Sequence, residues 1–204
     1  MNSRENFHFF TPIYRMKELF RHGWIGKIPS SEIESVAEHS YAVAVLALLL
    51  VPIENELRIK DNSNLKMLDK LVIIEKSLVH DLPESQFLDL DKSINGIISK
   101  QEFQEFKSRL DKKAEEKIQK DFNQFIKSTF SLSLVNPVPD MNSKQSEEDQ
   151  FIKLLDSMEL YFQTCVYLNK NFISEDLAKP FLTSTLEIIN SFAKTFLIIS
   201  YLFN

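Results

Sequence analysis

Apolar residues recur at three- and four-residue intervals along most of this chain, which is the period of amphipathic helices. No segment alternates apolar and polar residues with the period of two that a half-buried strand would show. The pattern therefore predicts an all-α fold, a helical bundle without a sheet. The expected helices are Pro12–Phe20, about Ser35–Val51, Leu65–Asp81, Lys100–Lys127, Glu147–Leu168 and Phe181–Leu202, with a break at Arg21–Trp24.

The sequence also carries signals for the ends of these helices. The segment Ser35–Glu38 has the spacing of a capping box, which predicts the start of the second helix. Because proline cannot donate the hydrogen bond that continues a helix, we expect Pro52 to end that helix and Pro83 to end the next one. Glu54–Ser63 is then expected to be a polar connection that could include a short turn of helix, and Thr129–Ser146 the main loop.

Composition narrows the classes of function. The 204 residues fit a single domain, and the formal net charge of −5 leaves no broad basic surface for a nucleic-acid backbone. Only three glycines occur, so the chain has no Gly-rich loop for phosphate, which would have to be held by side chains or a metal ion. The single cysteine, Cys165, excludes an internal disulfide and a Cys-based zinc site.

The sequence shows no signal for export or for membrane insertion. The N-terminal residues MNSRENFHFF lack the charged start and apolar run of a secretory signal. The longest apolar stretches, Ala42–Ile53 and Phe196–Phe203, are shorter than the ~20 residues that a membrane-spanning helix needs. We therefore expect a cytoplasmic protein with neither a membrane nor a nucleic acid as its partner.

Four ionisable residues lie among apolar neighbours on the predicted helices. His39 is in the first turn of one helix, His80 and Asp81 end another, and Asp156 follows Leu155 in a third. A lone histidine on an apolar face is more often a core residue than a ligand, and a helical aspartate is usually solvated. As a set, however, they would be costly to bury unless they are paired or bind a metal. Imidazole and carboxylate ligands together suit Co, Mn, Fe, Zn or Mg.

The segments around these residues resemble the HD-domain phosphohydrolases, and within that superfamily they are similar to the 5′-deoxynucleotidases. The similarity runs from about Arg15 to Leu168, although Leu88 stands where that branch carries glycine. The resemblance implies a single HD domain over residues 1–204, with a core at about 15–168 and a C-terminal helix at about 181–202, and it favours a homodimer. The matching segments are Arg21–Trp24, Val36–Ser40, Leu78–Ser85, Lys153–Asp156 and the position of Asp89.

The resemblance also implies a metal site and an activity. The chain would remove phosphate from deoxyribonucleoside 5′-monophosphates. Alternatives are another phosphate ester as substrate, or an HD module that binds a nucleotide without catalysis. A single ion fits better than two, because only two further histidines remain and both are near the N-terminus. The implied ligands of this one divalent ion are His39, His80, Asp81 and Asp156.

Two acidic residues beyond the ligands are candidates for catalysis. Glu84 would accept a proton from the attacking water, the alternative being a surface glutamate that follows a proline. Asp89 would protonate the leaving 5′-oxygen or contact the sugar, the alternative being a solvated loop acid close to Asp91.

Two further residues are candidates for binding the substrate. Arg21 would anchor the phosphate, because a guanidinium group matches phosphate oxygens bidentately. Trp24, the only tryptophan, would form a flat wall against the sugar or base, although it is equally suited to anchor a hydrophobic core.

Overall fold

The computed structural model describes residues 3–61, 65–90, 99–130 and 146–203, apart from the side chains of 3–9, 100 and 128–130. Within these ranges the chain is all-α, as predicted, and its only β-type pairing is an isolated bridge between Phe20 and Ser35. Most of the loop predicted at Thr129–Ser146, and Asp91, lie outside the described residues. The helices are α1 Ser3–Glu18, α2 Val36–Lys60, α3 Lys70–Val79, α4 Lys100–Phe130, α5 Glu147–Asn169, α6 Glu175–Ser191 and α7 Ile198–Leu202, with 3-10 turns at His22–Trp24, Ser30–Glu32 and Leu82–Gln86.

The chain forms two compact units. In the first unit, α1 and α4 both pack against the 3-10 turn Leu82–Gln86, and the rings of Phe10 and Phe125 meet edge to face, 5.7 Å apart. In the second unit, α5 packs against α6. The first unit comprises Met1–Ile25, Ser30–Glu38 and Val79–Asn142, and the second comprises Gly26–Pro29, His39–Leu78 and Ser143–Asn204.

The second unit has a continuous apolar core. Its fully buried members come from α2, α3, α5, α6 and the C-terminal segment, and two of them, Phe151 and Phe196, meet edge to face with their rings 4.9 Å apart. Burying such side chains is the main favourable contribution to folding. The most deeply buried residues of this core are Val43, Ala47, Val51, Ile73, Phe151, Leu154, Leu155, Met158, Ile189 and Phe196.

Side chains at the helix ends satisfy backbone groups that the helices cannot pair internally. The predicted capping box at the start of α2 is confirmed: the Glu38 N–H donates to Ser35 Oγ at 3.2 Å, and the Ser35 N–H donates to Glu38 Oε2 at 2.6 Å. Ser146 and Asp149 form a second capping box at the start of α5. At the other end of α5, Asn171 adopts a left-handed φ of 57°, and the Phe172 N–H donates to the Tyr167 carbonyl at 2.9 Å.

The prediction that Pro52 ends α2 was wrong, because the helix continues to Lys60 and includes most of the predicted polar connection. A proline inside a helix costs about 3 kcal/mol or more. Pro52 is exposed, and so is Leu48, the residue whose carbonyl loses its helical partner. Beyond the proline, Glu54 and Arg58 are both fully buried. Contacts made by this last part of the helix therefore outweigh the lost hydrogen bond.

The predicted helix at Phe181–Leu202 is instead two helices, α6 and α7, separated at Phe192–Leu197. The break has a tertiary cause that no local pattern contains. The backbone N–H groups of Leu197 and Ile198 donate to the carboxylate of Glu54 at 3.3 and 2.9 Å. In an unbroken helix these N–H groups would donate to carbonyls of the preceding turn, and the buried carboxylate of Glu54 would lose two of its hydrogen bonds.

The other helix ends differ less from the prediction. Helix α1 begins at Ser3 rather than at Pro12, so Pro12 is a second proline that lies inside a helix. Helix α3 begins at Lys70, where Asp69 Oδ1 accepts the N–H groups of Leu71 and Val72 at 3.0 and 3.2 Å. It ends at Val79, before Pro83 as predicted.

By length and composition alone, α2 is long and apolar enough to cross a membrane. The sequence did not predict this, because the helix was expected to end at Pro52. The core helix of a globular fold has the same properties. One face of α2 contributes Val43, Ala47 and Val51 to the apolar core of the second unit.

Candidate active site

A buried histidine lies between two acidic side chains in the second unit. His39, in the first turn of α2, has no exposed surface. Its Nε2 atom lies 3.1 Å from Asp156 Oδ1, and its Nδ1 atom lies 2.7 Å from Glu159 Oε2. Both acids belong to α5, where the three-residue spacing places them on one face of the helix. Two of the four predicted metal ligands, His39 and Asp156, are thus in direct contact.

The chemistry of this group fits a divalent ion. A carboxylate within hydrogen-bond distance of Nδ1 keeps the proton on that nitrogen, so Nε2 of the neutral ring carries a lone pair. In His39 that lone pair faces a carboxylate oxygen of Asp156. Two acceptors at this distance attract each other only through a shared proton or cation. An imidazole Nε2 and a carboxylate oxygen are also ordinary ligands of Zn, Mn, Fe and Co.

Glu159 was not identified from the sequence, although the signal was available. It lies between Met158 and Leu160 in an apolar helical stretch and is itself buried. The argument that selected Asp156, an acid among apolar neighbours, applies to it equally. What the sequence does not contain is its partner, because the contact joins residues 120 positions apart.

The other two predicted ligands, His80 and Asp81, lie in the first unit, directly after α3 ends. The His80 Nε2 atom is 3.4 Å from Asp81 Oδ2. Asp81 is the residue before the 3-10 turn Leu82–Gln86, which has Pro83 near its start. The proline that stops the helix therefore also turns the chain immediately after the His-Asp pair.

Arg21 joins two of the predicted acidic residues within the same unit. Its Nη1 atom donates to Asp81 Oδ2 at 3.2 Å and lies 3.7 Å from Asp89 Oδ1. The backbone N–H of His22 donates to Asp89 Oδ2 at 2.7 Å. Arg21, Asp81 and Asp89 thus form one charged cluster. Asp89 is not a solvated loop acid, since only 11% of its side chain is exposed.

Glu84 is buried beside this cluster and pairs with a lysine of α4. Only 2% of the residue is exposed, so it is not a surface glutamate. Lys107 Nζ lies 2.6 Å from Glu84 Oε1. Burial and the negative charges of Asp81 and Asp89 raise the pKa of Glu84 to about 8, although Lys107 acts to lower it. Lys107 was missed because its helix has the composition of a solvated amphipathic helix.

Trp24 is an internal residue of the first unit, with 1% of its surface exposed. Its indole N–H donates to Glu34 Oε1 at 3.1 Å, and the backbone N–H of Arg21 donates to the Glu34 carbonyl at 3.0 Å. Such burial accords with the alternative that Trp24 anchors a core. Its contact with substrate stays a prediction.

Comparison with solved structures shows similarity over nearly the whole chain. A conserved hypothetical protein from Pyrococcus furiosus is 24% identical, with 91% of this chain and 90% of that chain covered and a TM-score of 0.60. The PH0347 protein from Pyrococcus horikoshii is 22% identical, with 91% and 96% covered and a TM-score of 0.58. An HD-domain phosphohydrolase from Listeria innocua is 16% identical, with 93% and 86% covered and a TM-score of 0.55. No curated protein matches the sequence.

The family comparison agrees with the all-α fold and with the resemblance to HD-domain proteins. The family model described as HD domain matches residues 13–193, a range that contains all four predicted metal ligands as well as Arg21, Glu84 and Asp89. Since this match extends over most of the sequence, the chain belongs to the HD domain family.

Proposed function

We propose that the chain is a metal-dependent phosphohydrolase that removes phosphate from deoxyribonucleoside 5′-monophosphates. The observation that carries the proposal is the buried His39, held between Asp156 and Glu159 as a metal-binding imidazole would be. Family membership supports the same reading. We further propose that a single divalent ion is bound by His39, His80, Asp81 and Asp156.

The proposed reaction needs a nucleophilic water, a proton acceptor and a group that assists the leaving oxygen. A divalent ion held by His39, His80, Asp81 and Asp156 would supply the first by lowering the pKa of its bound water to near neutral, and it would also polarise a phosphate oxygen. Glu84 is our candidate proton acceptor. Asp89, held by the His22 N–H, is our candidate either for protonating the leaving 5′-oxygen or for contacting the sugar. Arg21 keeps this acid in place and presents a cation for the phosphate.

Preference for the deoxyribose sugar is the finer part of the proposal, and it rests on the resemblance of Arg21–Trp24 and Asp89 to the 5′-deoxynucleotidases. Phosphate release from a panel of deoxyribo- and ribonucleoside 5′-monophosphates tests it. The protein is first treated with EDTA and then supplied separately with Co, Mn, Mg or Zn. We expect no activity after EDTA, and restored activity confined to the deoxy compounds.

Other results of the panel distinguish the alternatives. Equal hydrolysis of ribonucleotides would refute the preference for deoxyribose while keeping the phosphohydrolase. Metal-restored hydrolysis of p-nitrophenyl phosphate without hydrolysis of any nucleotide would move the substrate to another phosphate ester. Metal binding without hydrolysis of any phosphate ester would contradict catalysis and favour a module that only binds nucleotides.

The contact of Glu159 with His39 gives a prediction about metal affinity. In Glu159→Gln the side-chain amide no longer carries the charge that fixes the Nδ1 proton. We expect the metal dissociation constant to rise about 10- to 100-fold, the usual cost of losing such a partner. Competition with a chromophoric chelator measures this constant.

The matched control for this variant is Glu175→Gln, the same change at an exposed position in the first turn of α6. Its metal dissociation constant should equal that of the unaltered protein. An unchanged constant in Glu159→Gln would show that Glu159 only fills space beside His39.

A further inference from the structure

We propose that Lys107 is a positioning residue for the reaction, and that it holds Glu84 so that one carboxylate oxygen, Oε2, is presented for proton transfer. The inference rests on the proposed phosphohydrolase function and adds a residue of α4 to it. It is carried by the different surroundings of the two oxygens of Glu84.

The two carboxylate oxygens of Glu84 are not equivalent. Oε1 accepts a charge-assisted hydrogen bond from Lys107 Nζ at 2.6 Å. Oε2 is buried and has no hydrogen-bond partner among the residues that the structure describes. A buried carboxylate oxygen without a donor costs free energy in a merely structural ion pair. The same oxygen is suited to accept the proton of a water molecule.

Lys107 is also the cation that makes an ionised Glu84 compatible with its surroundings. Glu84 lies within the electrostatic influence of Asp81 and Asp89, and both of these acids oppose its ionisation. The guanidinium group of Arg21, the other cation of this cluster, contacts Asp81 and Asp89. Lys107 is therefore placed to compensate the charge of Glu84 itself, which a proton acceptor must carry at the start of the reaction.

The packing of α4 accounts for the position of this lysine. Phe103 and Ala114 are buried, and they are separated from Lys107 by four and seven residues, so all three lie on one face of the helix. Helix α4 packs against the 3-10 turn Leu82–Gln86, which contains Glu84. A third of the Lys107 side chain, 32%, stays exposed, and its Nζ atom also lies 3.9 Å from Asp111 Oδ1.

The test compares Lys107→Met, Lys107→Arg and Glu84→Gln with the double variant Glu84→Gln/Lys107→Met, using the metal-loaded protein and p-nitrophenyl phosphate as well as the best nucleotide. Removing a general base costs about 10²- to 10⁴-fold in rate. We expect Lys107→Met to lose part of this rate enhancement. Its kcat should fall about 10- to 100-fold, while KM and metal affinity stay nearly unchanged. Lys107→Arg, which keeps the cation, should restore most of the loss.

The double variant separates positioning from general structural damage. If Lys107 acts only through Glu84, Lys107→Met should cause no further loss of kcat in the Glu84→Gln background. Independent, multiplying losses would overturn the proposal, and so would wild-type kcat in Lys107→Met. Lys112→Met, the same change at an exposed position of α4, is the matched control and should keep full activity.

Folding and the proposed function are checked in the same experiment. If Lys107→Met does not fold, two comparisons of kcat remain. The double variant, whose Gln–Met pair is neutral, should have the kcat of Glu84→Gln. Lys107→Arg, which keeps the cation, should stay close to the wild type. If the wild type is active and Lys107→Met has the same kcat, only the role of Lys107 is refuted and the proposed function stands. A wild type that hydrolyses no phosphate ester would refute the proposed function, and the role of Lys107 with it.

Discussion

Asp81→Asn should lower phosphate release by about 10³-fold or more, because the loss of several kcal/mol of transition-state stabilisation by a metal ion corresponds to a factor of this size. The change removes the negative charge but keeps the volume of the side chain. In the proposed site this charge binds the ion, and in the structure it also pairs with Arg21 at 3.2 Å. Loss of the metal ligand and loss of the pairing with Arg21 should both lower the rate of phosphate release.

The experiment measures bound metal after gel filtration together with the rate of phosphate release. Asp121→Asn is the matched control, because Asp121 lies on the exposed face of α4 and pairs only with Lys117 of the same helix among the contacts described. That variant should keep normal metal content and normal turnover. Normal metal content and turnover in Asp81→Asn would contradict the role of Asp81 as a ligand.

Glu54→Ala is expected to lower the free energy of unfolding by about 3–5 kcal/mol, the cost of removing one partner of a buried ion pair. Glu54 and Arg58 are almost completely buried, and Arg58 Nε donates to Glu54 Oε1 at 2.8 Å. The variant leaves the guanidinium of Arg58 with a single carboxylate partner, Glu147 at 2.7 Å, among the contacts described. It also leaves the N–H groups of Leu197 and Ile198 without their acceptor.

Urea denaturation followed by circular dichroism measures this change. Glu56→Ala is the matched control, since Glu56 is an exposed glutamate of the same helix. A surface substitution of this kind changes stability by about 0.5 kcal/mol or less. A similarly small change in Glu54→Ala would show that the carboxylate contributes little to the stability of the second unit.

The sequence predicted those features that depend on neighbouring residues. The capping box at Ser35–Glu38 is one, and the termination of α3 before Pro83 is another. His39 and Asp156 were selected because each is an ionisable group among apolar neighbours, and the structure places them in contact.

The features that the sequence did not predict depend on contacts between distant residues. Pro52 carries the same local signal as Pro83, yet α2 continues because Glu54 and Arg58 are buried beyond it. The break between α6 and α7 depends on the carboxylate of Glu54, which precedes it by more than a hundred residues. Two further residues were not predicted for the same reason. Glu159 contacts His39 and Lys107 contacts Glu84, and each pair is distant in sequence. The extent of a single domain, the homodimer and the cytoplasmic location stay predictions.

The two caps of α5 restrict how this protein can vary in length. The capping box of Ser146 fixes one end of the helix and the left-handed Asn171 fixes the other, while Asp156 and Glu159 meet His39 in between. One inserted or deleted residue would rotate part of the helix by about 100° relative to the rest. Relatives that keep this histidine environment should therefore share the same number of residues between the two caps, and differ in length only outside them.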